Sequence, residues 1–548
     1  MTPQLPEESG SAPARCPAHV TDVRWERIQL ILRVERVPES QINVAGWEFF
    51  LDAGEGRTPL AGLEVAGHRS GPEARFVRFN LFAGPHRRPI EAGRWRLVHR
   101  CPGADVCTVG AAQTLALSTH TSREYLSGTT MFRLDPKVAD GGFEVVFTVS
   151  SVRTRGAWAP PRTHLRAWWR RFRRRLRVGV FRTFVDTVRL VPRKERLVVF
   201  TSDSATELRG NLKLVYDRML ARGLGSEYRL RTILKSSIRS KRSFRDRLRL
   251  VWLLGRAGVI LLDDYQPAIY QLRSRPDQRI IQLWHAPGAF KTVGYSRIGK
   301  AGGTNPFSAI HKNYTYATVS SAYEVPFYAE AFGIPEESVI PTGTPRMEEF
   351  LDGDRQAAGR TRALEAFPAA LGRRVIVFAP TFRGTNARKA WYQMEQVDLA
   401  SLHALCRERD AIVIFKMHPF VRRRLEIPPE LDDRLFDASR LPIDVNDLLV
   451  IADLLVTDYS SVVFEYAALG RPMLFFAYDL EAYVATRDFY EPYEEFVPGR
   501  IVRTFSELLD AIRHDDYQFE KVAPFATRHL PEHRGSATDR IIDELVLS

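Results

Sequence analysis

Hydrophobic and polar positions change rhythm twice along this chain. Over residues 21–155 the period is two: Leu30, Leu32 and Val34 alternate with Ile31, Arg33 and Glu35, and Val77, Phe79 and Leu81 alternate with Phe76, Arg78 and Asn80. Phe143, Val145, Phe147 and Val149 repeat the pattern, and turn-rich stretches at 52–56 and 139–142 separate such runs. This spacing predicts short strands and a β-rich, sandwich-like domain. No catalytic constellation stands in it, which suits an accessory or targeting module. The first twenty residues are rich in Pro, Ser and Glu and predict a disordered tail.

Residues 156–192 follow a different rule. Between Arg162 and Arg177 there are eight arginines and no acid, interleaved with Trp168, Trp169, Phe172 and Leu176. Such a segment predicts a basic aromatic helix lying in a membrane interface, with Trp168 and Trp169 at headgroup depth and Arg170, Arg171, Arg173 and Arg174 on lipid phosphates. The composition also suits nucleic acid or a solvated face. The paired tryptophans favour the membrane. Pro192 ends the segment.

From residue 193 onward, continuous apolar runs alternate with helical patterns. Strands are predicted at 197–201, 228–234, 259–262, 279–284 and 316–320. After a charged connector the pattern restarts, with strands at 375–378, 411–417, 454–457 and 473–476. Buried runs joined by helices mean parallel sheets covered on both faces. The pattern predicts an α/β pair of doubly wound domains, 193–365 and 366–548, facing a cleft. Ligands of such sheets bind beyond the carboxyl ends of the strands.

Composition narrows the chemistry. The 548 residues carry 79 Lys and Arg against 65 Asp and Glu, a net charge of +14, which calls for an anionic partner. The four cysteines, Cys16, Cys101, Cys107 and Cys406, form no C-x-x-C. Cys101 and Cys107 are near enough to bridge across a turn, but isolated thiols in a reducing compartment are the expectation. The opening lacks an apolar run, and the most apolar stretch, 248–262, is broken by Arg249 and Arg256 and too short to span a bilayer.

Five strand ends carry the candidate chemistry. His285 leaves its strand into a Pro/Gly loop and offers an imidazole to the cleft, although a lone histidine there is more often structural. Thr381 and Arg383 follow Pro380; Arg383 presents a fork that matches phosphate oxygens or pairs with a carboxylate. His418 precedes Pro419 at the end of another strand. Thr457, Asp458, Ser460 and Ser461 join a strand to a helix whose N-cap, Ser460, and freed N–H groups make a phosphate seat or an ordinary cap. Glu465 stands one turn further, within reach of a ribose hydroxyl or simply favoured by the helix dipole. No Walker loop, G-x-G-x-x-G, G-x-S-x-G or H-E-x-x-H occurs at a strand end, and carboxylates do not cluster like a two-metal site. The residues therefore point to phosphate-group transfer without metal or cofactor.

In this order the segments QLWHAPGAFKTVGYSR, VSSAYEVPFYAEAFGI, PTGTPRMEEF, VIVFAPTFRG, FKMHP, DLLVTDYSSVVFEYAALGRPMLFFAYDLEAY and EPYEEFVPGRIV resemble the CDP-glycerol:poly(glycerophosphate) glycerophosphotransferase family, the teichoic acid primases and polymerases. The resemblance spans residues 197–514. It implies a GT-B-like pair of Rossmann halves with the nucleotide on the C-terminal one, attached peripherally to the cytoplasmic face of the membrane. It further implies transfer of an alditol phosphate from a CDP-alditol to a hydroxyl of a lipid-linked chain, with release of CMP and no nucleic-acid partner. His285 would be the base, and Arg383 and His418 would hold the diphosphate. Thr381, Thr457, Asp458, Ser460 and Ser461 would line the phosphate seat, with Glu465 on the sugar. Many members read W-H-G-T-P where this chain has WHAPGAF, a loop expected to face the acceptor. Other readings on the same fold are a nucleotide-sugar glycosyltransferase or a sugar-nucleotide epimerase. A non-catalytic membrane-binding protein is the reading from another class.

Overall fold

The computed structural model describes the chain except residues 1–14, 38–46, 55, 66–72, 85–86, 101–105, 118–120, 128–129, 140–141, 152–160, 192–195, 238–239, 274, 301–302, 385–388 and 531–535. Cys101, Pro192 and most of the expected tail lie outside the described residues. Residues 15–20 are not tail: they form the first half of strand Arg15–Glu26.

The chain divides into two units. In the first, eleven strands between Arg15 and Ser151 hydrogen-bond into one branched sheet. Leu30, Leu32, Val34, Phe143, Val145 and Phe147 face a common apolar core, whereas Val149 of the same alternating run is exposed and Ile31 of the opposite phase is buried. Two segments assigned by sequence to the first α/β half, 293–312 and 330–335, belong to this unit instead. Tyr295 and Ile298 complete the β-rich core. The buried Glu330 carboxylate accepts from Arg27 Nε at 2.8 Å and from Gln29 Nε2 at 2.7 Å. Burying that carboxylate without both donors would cost several kcal/mol, roughly 3–5, so these loops stay with the strands that satisfy it.

The second unit holds two six-stranded parallel sheets. The first comprises β1 (Arg196–Ser202), β2 (Tyr228–Leu234), β3 (Val259–Leu262), β4 (Arg279–Gln282), β5 (Tyr316–Thr318) and β6 (Val339–Ile340), in the order β2-β1-β3-β4-β5-β6. The second comprises β7 (Arg374–Phe378), β8 (Ala411–Phe415), β9 (Leu435–Asp437), β10 (Leu454–Thr457), β11 (Met473–Phe476) and β12 (Arg500–Val502), in the order β9-β8-β7-β10-β11-β12. The edge strands β6, β9 and β12 span two or three residues and give too short a pattern for sequence to detect.

Helix α1 (Pro161–Arg189) precedes β1, and its last turns are fixed by Arg182 Nε donating to Gln271 O and Arg189 Nη2 donating to Gln278 Oε1, both at 2.9 Å. Helix α2 (Gly210–Ala221) follows β1, and α3 (Val462–Ala467) follows β10. The last helix, α4 (Ala537–Ile541), departs from the expected 366–548 division. Ile541 and Ile542 pack with Val198, Phe200 and Leu261 of the first sheet, and Asp539 receives both Arg218 and Arg222. The chain thus returns to the first half at its end.

Candidate active site

Strand order reverses between β1 and β3 in the first sheet and between β7 and β10 in the second. At such points the following loops part and open a crevice. A cleft of about 1020 Å³ lies there, walled by Asp203, Asp263, Asp264 and His285 from the first half and by His418, Phe420 and Asp444 from the second. The two histidines singled out in the sequence therefore meet on one cavity.

His285 owes its position to the residue before it. Trp284 is buried and adopts φ +54°, a left-handed conformation costing a bulky residue about 1–2 kcal/mol. Two buried side chains enforce it: Gln282 Oε1 accepts from Trp284 N at 2.9 Å, and Asn211 Nδ2 donates to Trp284 O at 2.8 Å. The turn throws His285 outward, leaving 51% of its side chain exposed to cleft water. Nδ1 lies 3.8 Å from Asp264 Oδ1. The surrounding protein lowers the His285 pKa below its ordinary value; Asp264 and a hydrogen bond to the Asp263 carbonyl oppose the shift, and Arg346 adds to it. The Asp264 carboxylate beside Nδ1 favours a proton there, the tautomer that leaves Nε2 to act as a base. Burial, with help from Asp264, pushes the Asp263 carboxyl up to about 6, and its Oδ1 has no hydrogen-bond partner among the described residues.

His418 has the opposite polarity. Its Nδ1 accepts from Phe420 N at 3.1 Å, and its ring sits 4.7 Å from those of Phe382 and Phe420. Burial and then the charge of Lys291 hold its pKa at about 4. The ring is neutral at physiological pH, with Nε2–H as its free donor.

The second switch point corrects part of the expected phosphate seat. Arg383 is buried and fully engaged: Nε and Nη2 meet Asp479 at 2.6 and 2.8 Å, and Nη1 meets Asp458 at 2.8 Å and Thr381 O at 2.6 Å. Tyr392, Tyr459, Tyr478 and Tyr483 surround the guanidinium at 5.0–5.4 Å. Asp458 also accepts from Thr381 N, and Thr457 Oγ1 donates to Ala379 O at 2.7 Å. These four residues lock the ends of β7 and β10 together, and Arg383 has no fork left for a diphosphate. Ser460 and Ser461 remain partly exposed. Ser460 Oγ accepts from Val462 N at 3.4 Å, while the N-cap position falls to Ser461, which makes no side-chain cap bond. Neither serine is among the described residues that wall the cleft.

Glu465 joins the two halves. It is almost fully buried, and its Oε1 lies 3.0 Å from Arg346 Nη2. Arg346 Nη1 in turn donates to His285 O at 3.0 Å, and Arg346 N donates to Asn211 Oδ1. Burial pushes the Glu465 carboxyl up against the pull of Arg346, and Oε2 has no hydrogen-bond partner among the described residues. Sequence reasoning missed Asp264 and Asn211, which lie in no motif, and passed over Arg346, although it stands in the PTGTPRMEEF segment.

The WHAPGAF loop, expected to face the acceptor, carries His285 at its start and joins the two halves at its end. Phe290 stacks on Phe489 and Phe496 in the core of the second half, and Thr292 N donates to Asp488 O at 2.9 Å. Gly288 has φ +74°, and a Cβ there would stand 1.9 Å from the Phe464 ring. Gly288→Ala is expected to destabilise the protein by about 2–5 kcal/mol, overpacking adding to left-handed strain. Denaturant unfolding measures it, and an unchanged midpoint would show that the joint is loose.

On α1, Trp168 and Trp169 are 56% and 47% exposed, Trp168 stacks on Phe172, and Arg173 lies 5.7 Å over Trp169. The side chains of Arg170, Arg171 and Arg174 are outside the described residues.

The chain is similar to characterised proteins over the region that builds this cleft. It is 41% identical over 430 residues to the teichoic acid ribitol-phosphate polymerase TarK of Staphylococcus aureus, covering 77% of this chain and 82% of that one. It is 44% identical over 382 residues to TarL, a teichoic acid ribitol-phosphate polymerase of the same organism, covering 70% and 68%. Among solved structures, the wall teichoic acid polymerase TagF superposes with a TM-score of 0.54 at 22% identity, over 69% of this chain and 96% of that chain, and carries the same fold. Residues 183–547 match the description CDP-glycerol:poly(glycerophosphate) glycerophosphotransferase. With two thirds of its length in that match and both histidines on one cleft, the chain belongs to the CDP-glycerol:poly(glycerophosphate) glycerophosphotransferase family.

Proposed function

We propose that this protein transfers an alditol phosphate from a CDP-alditol to a hydroxyl of a lipid-linked alditol-phosphate chain and releases CMP. The observation that carries the reading is the pairing of a base-ready His285 with a donor-ready His418 across one cleft. His285 Nε2 takes the proton of the acceptor hydroxyl, whose oxygen attacks the distal phosphorus in line. The bond from that phosphorus to the bridging oxygen breaks, and CMP departs with the electron pair. His418 Nε2–H steadies the diphosphate. Positioning and fixed dipoles supply most of the rate. The carboxyl groups of Asp263 and Asp264 on the first-half wall suit the hydroxyls of a polyol acceptor.

Ribitol is the favoured alditol, because the ribitol-phosphate polymerases are 41% and 44% identical to this chain whereas a glycerol-phosphate primase of Bacillus subtilis is 27% identical. Incubation with CDP-ribitol, CDP-glycerol and UDP-sugars, followed by chromatography of released nucleotide, tests both points. CMP from CDP-ribitol is expected; nucleotide released only from UDP-sugars would favour the glycosyltransferase reading.

The β-rich unit serves as an accessory module to a GT-B-like catalytic pair, and the enzyme works peripherally at the cytoplasmic face of an anionic membrane. Among the described residues no helix is long and apolar enough to cross a membrane. Exposed Trp168, Trp169 and Phe172 support docking by α1. Replacing all three by serine is expected to move the protein from the pellet to the supernatant in sedimentation with phosphatidylglycerol vesicles. Unchanged pelleting would remove α1 as the anchor.

A further inference from the structure

We propose that the helix Phe244–Arg256 is a second membrane-contact surface, which seats its exposed face on an anionic lipid bilayer beside α1. The inference rests on the docking reading above and adds a surface that reading does not use.

The helix joins β2 to β3 and contains the first half of the most apolar stretch of the chain. Leu250, Leu253 and Leu254 are buried, and the helix packs on β1. A helix fully served by its own fold turns polar residues outward from such a buried side. This one turns out Phe244, Leu248 and Trp252, which are 72%, 50% and 48% exposed. Spaced by four, they fall within an arc of about 80° and form one stripe along the helix. Single exposed apolar residues are ordinary, but three large ones in one stripe mark a contact surface.

Charge decides what the stripe contacts. Arg245, Arg249 and Arg256 run along one edge of the same face. Arg245 and Arg249 are exposed, and Arg256 lies 5.0 Å over the Trp252 ring. Asp246, the one acid of the helix, points to another side and accepts from Ser243 Oγ at 2.7 Å. An aromatic and aliphatic stripe edged by arginine matches the layering of an anionic bilayer, with phosphates above acyl chains. A nucleic acid offers phosphate to the arginines but no apolar layer for Phe244 and Leu248.

Position brings the stripe to α1. Gly255, three residues past Trp252, falls on the same arc, and there the face is covered. A Cβ on Gly255 would stand 2.8 Å from Val188 Cγ1 and 3.2 Å from Val185 O. The stripe therefore runs out from beneath the last turns of α1, whose Val180 and Phe184 are themselves about half exposed. Two contacts carried on one body reinforce each other, because the first raises the effective concentration of the second.

Sedimentation of the full-length protein with vesicles of equal parts phosphatidylcholine and phosphatidylglycerol tests the assignment. The combined variant Phe244→Ser, Leu248→Ser and Trp252→Ser, with α1 intact, should lose about 10- to 100-fold in vesicle affinity. Arg245→Glu leaves the stripe and the buried side alone and should weaken binding about 5- to 30-fold, with binding to pure phosphatidylcholine vesicles unchanged. It decides the question should the triple variant fold poorly. If both variants pellet like the wild type while the α1 variant is released, this helix is not a contact and α1 remains the anchor. If the wild type itself stays in the supernatant, the docking reading falls and takes this assignment with it. Full vesicle affinity in the triple variant, with loss of self-association or of polynucleotide binding instead, would give the stripe another partner and overturn the proposal.

Discussion

Replacing His285 by asparagine should lower CMP release from the donor by about 10²–10⁴-fold, the usual range for a positioned general base, without disturbing the fold. The second half of that statement follows from geometry. His285 is half exposed, and the neighbouring structure is held by Trp284, Asn211 and the Arg346 contact to the His285 carbonyl, all of which survive the substitution. The wild-type pH profile gives an independent check. A base must be neutral to act, so activity is lost as pH falls through its pKa. That pKa is lowered by the surrounding protein, so the acid limb should lie below the ordinary histidine range of about 6.5. Asp264→Asn removes a carboxylate that favours the imidazolium and should move the limb lower still. An asparagine variant with full activity, or an acid limb that ignores Asp264, would assign the base elsewhere.

Arg383→Met should unfold the protein far more readily, by about 3–5 kcal/mol, because it strands the buried Asp458 and the partly exposed Asp479 without their counter-charge. The loss is a large part of a total stability of about 5–15 kcal/mol. Asp458 is fully buried, and its two oxygens are divided between backbone N–H groups and Arg383. Asp479 loses both of its guanidinium bonds at once and keeps only Tyr459 Oη at 3.1 Å. Arg383→Met combined with Asp479→Asn should recover part of the loss, since one stranded charge is gone. Chemical denaturation of the variants decides the matter. A stable Arg383→Met protein that has lost affinity for CDP would return Arg383 to the phosphate site.

Arg383 shows where sequence pattern stops being informative. It follows a strand end and carries a fork that could meet phosphate or a carboxylate. Periodicity locates a strand and its mouth because alternation and apolar runs report local burial. It says nothing about which carboxylate, 96 residues away, arrives beside a guanidinium. Arg383 meets Asp479 only after β7, β10 and β11 have been laid side by side.

By itself the chain's alternation of apolar and polar positions determined the β-rich start, the basic aromatic helix and the two parallel α/β halves, with His285 and His418 at strand mouths. Each of these is a short-range property, legible within a window of ten to thirty residues. Tertiary structure alone decided that residues 293–312 and 330–335 complete the β-rich core, that the final helix returns to the first sheet, and that the end of the WHAPGAF loop joins the two halves. Those outcomes turn on satisfying buried charges and filling apolar surface between segments far apart in sequence, and such partners exist only once the sheets have formed.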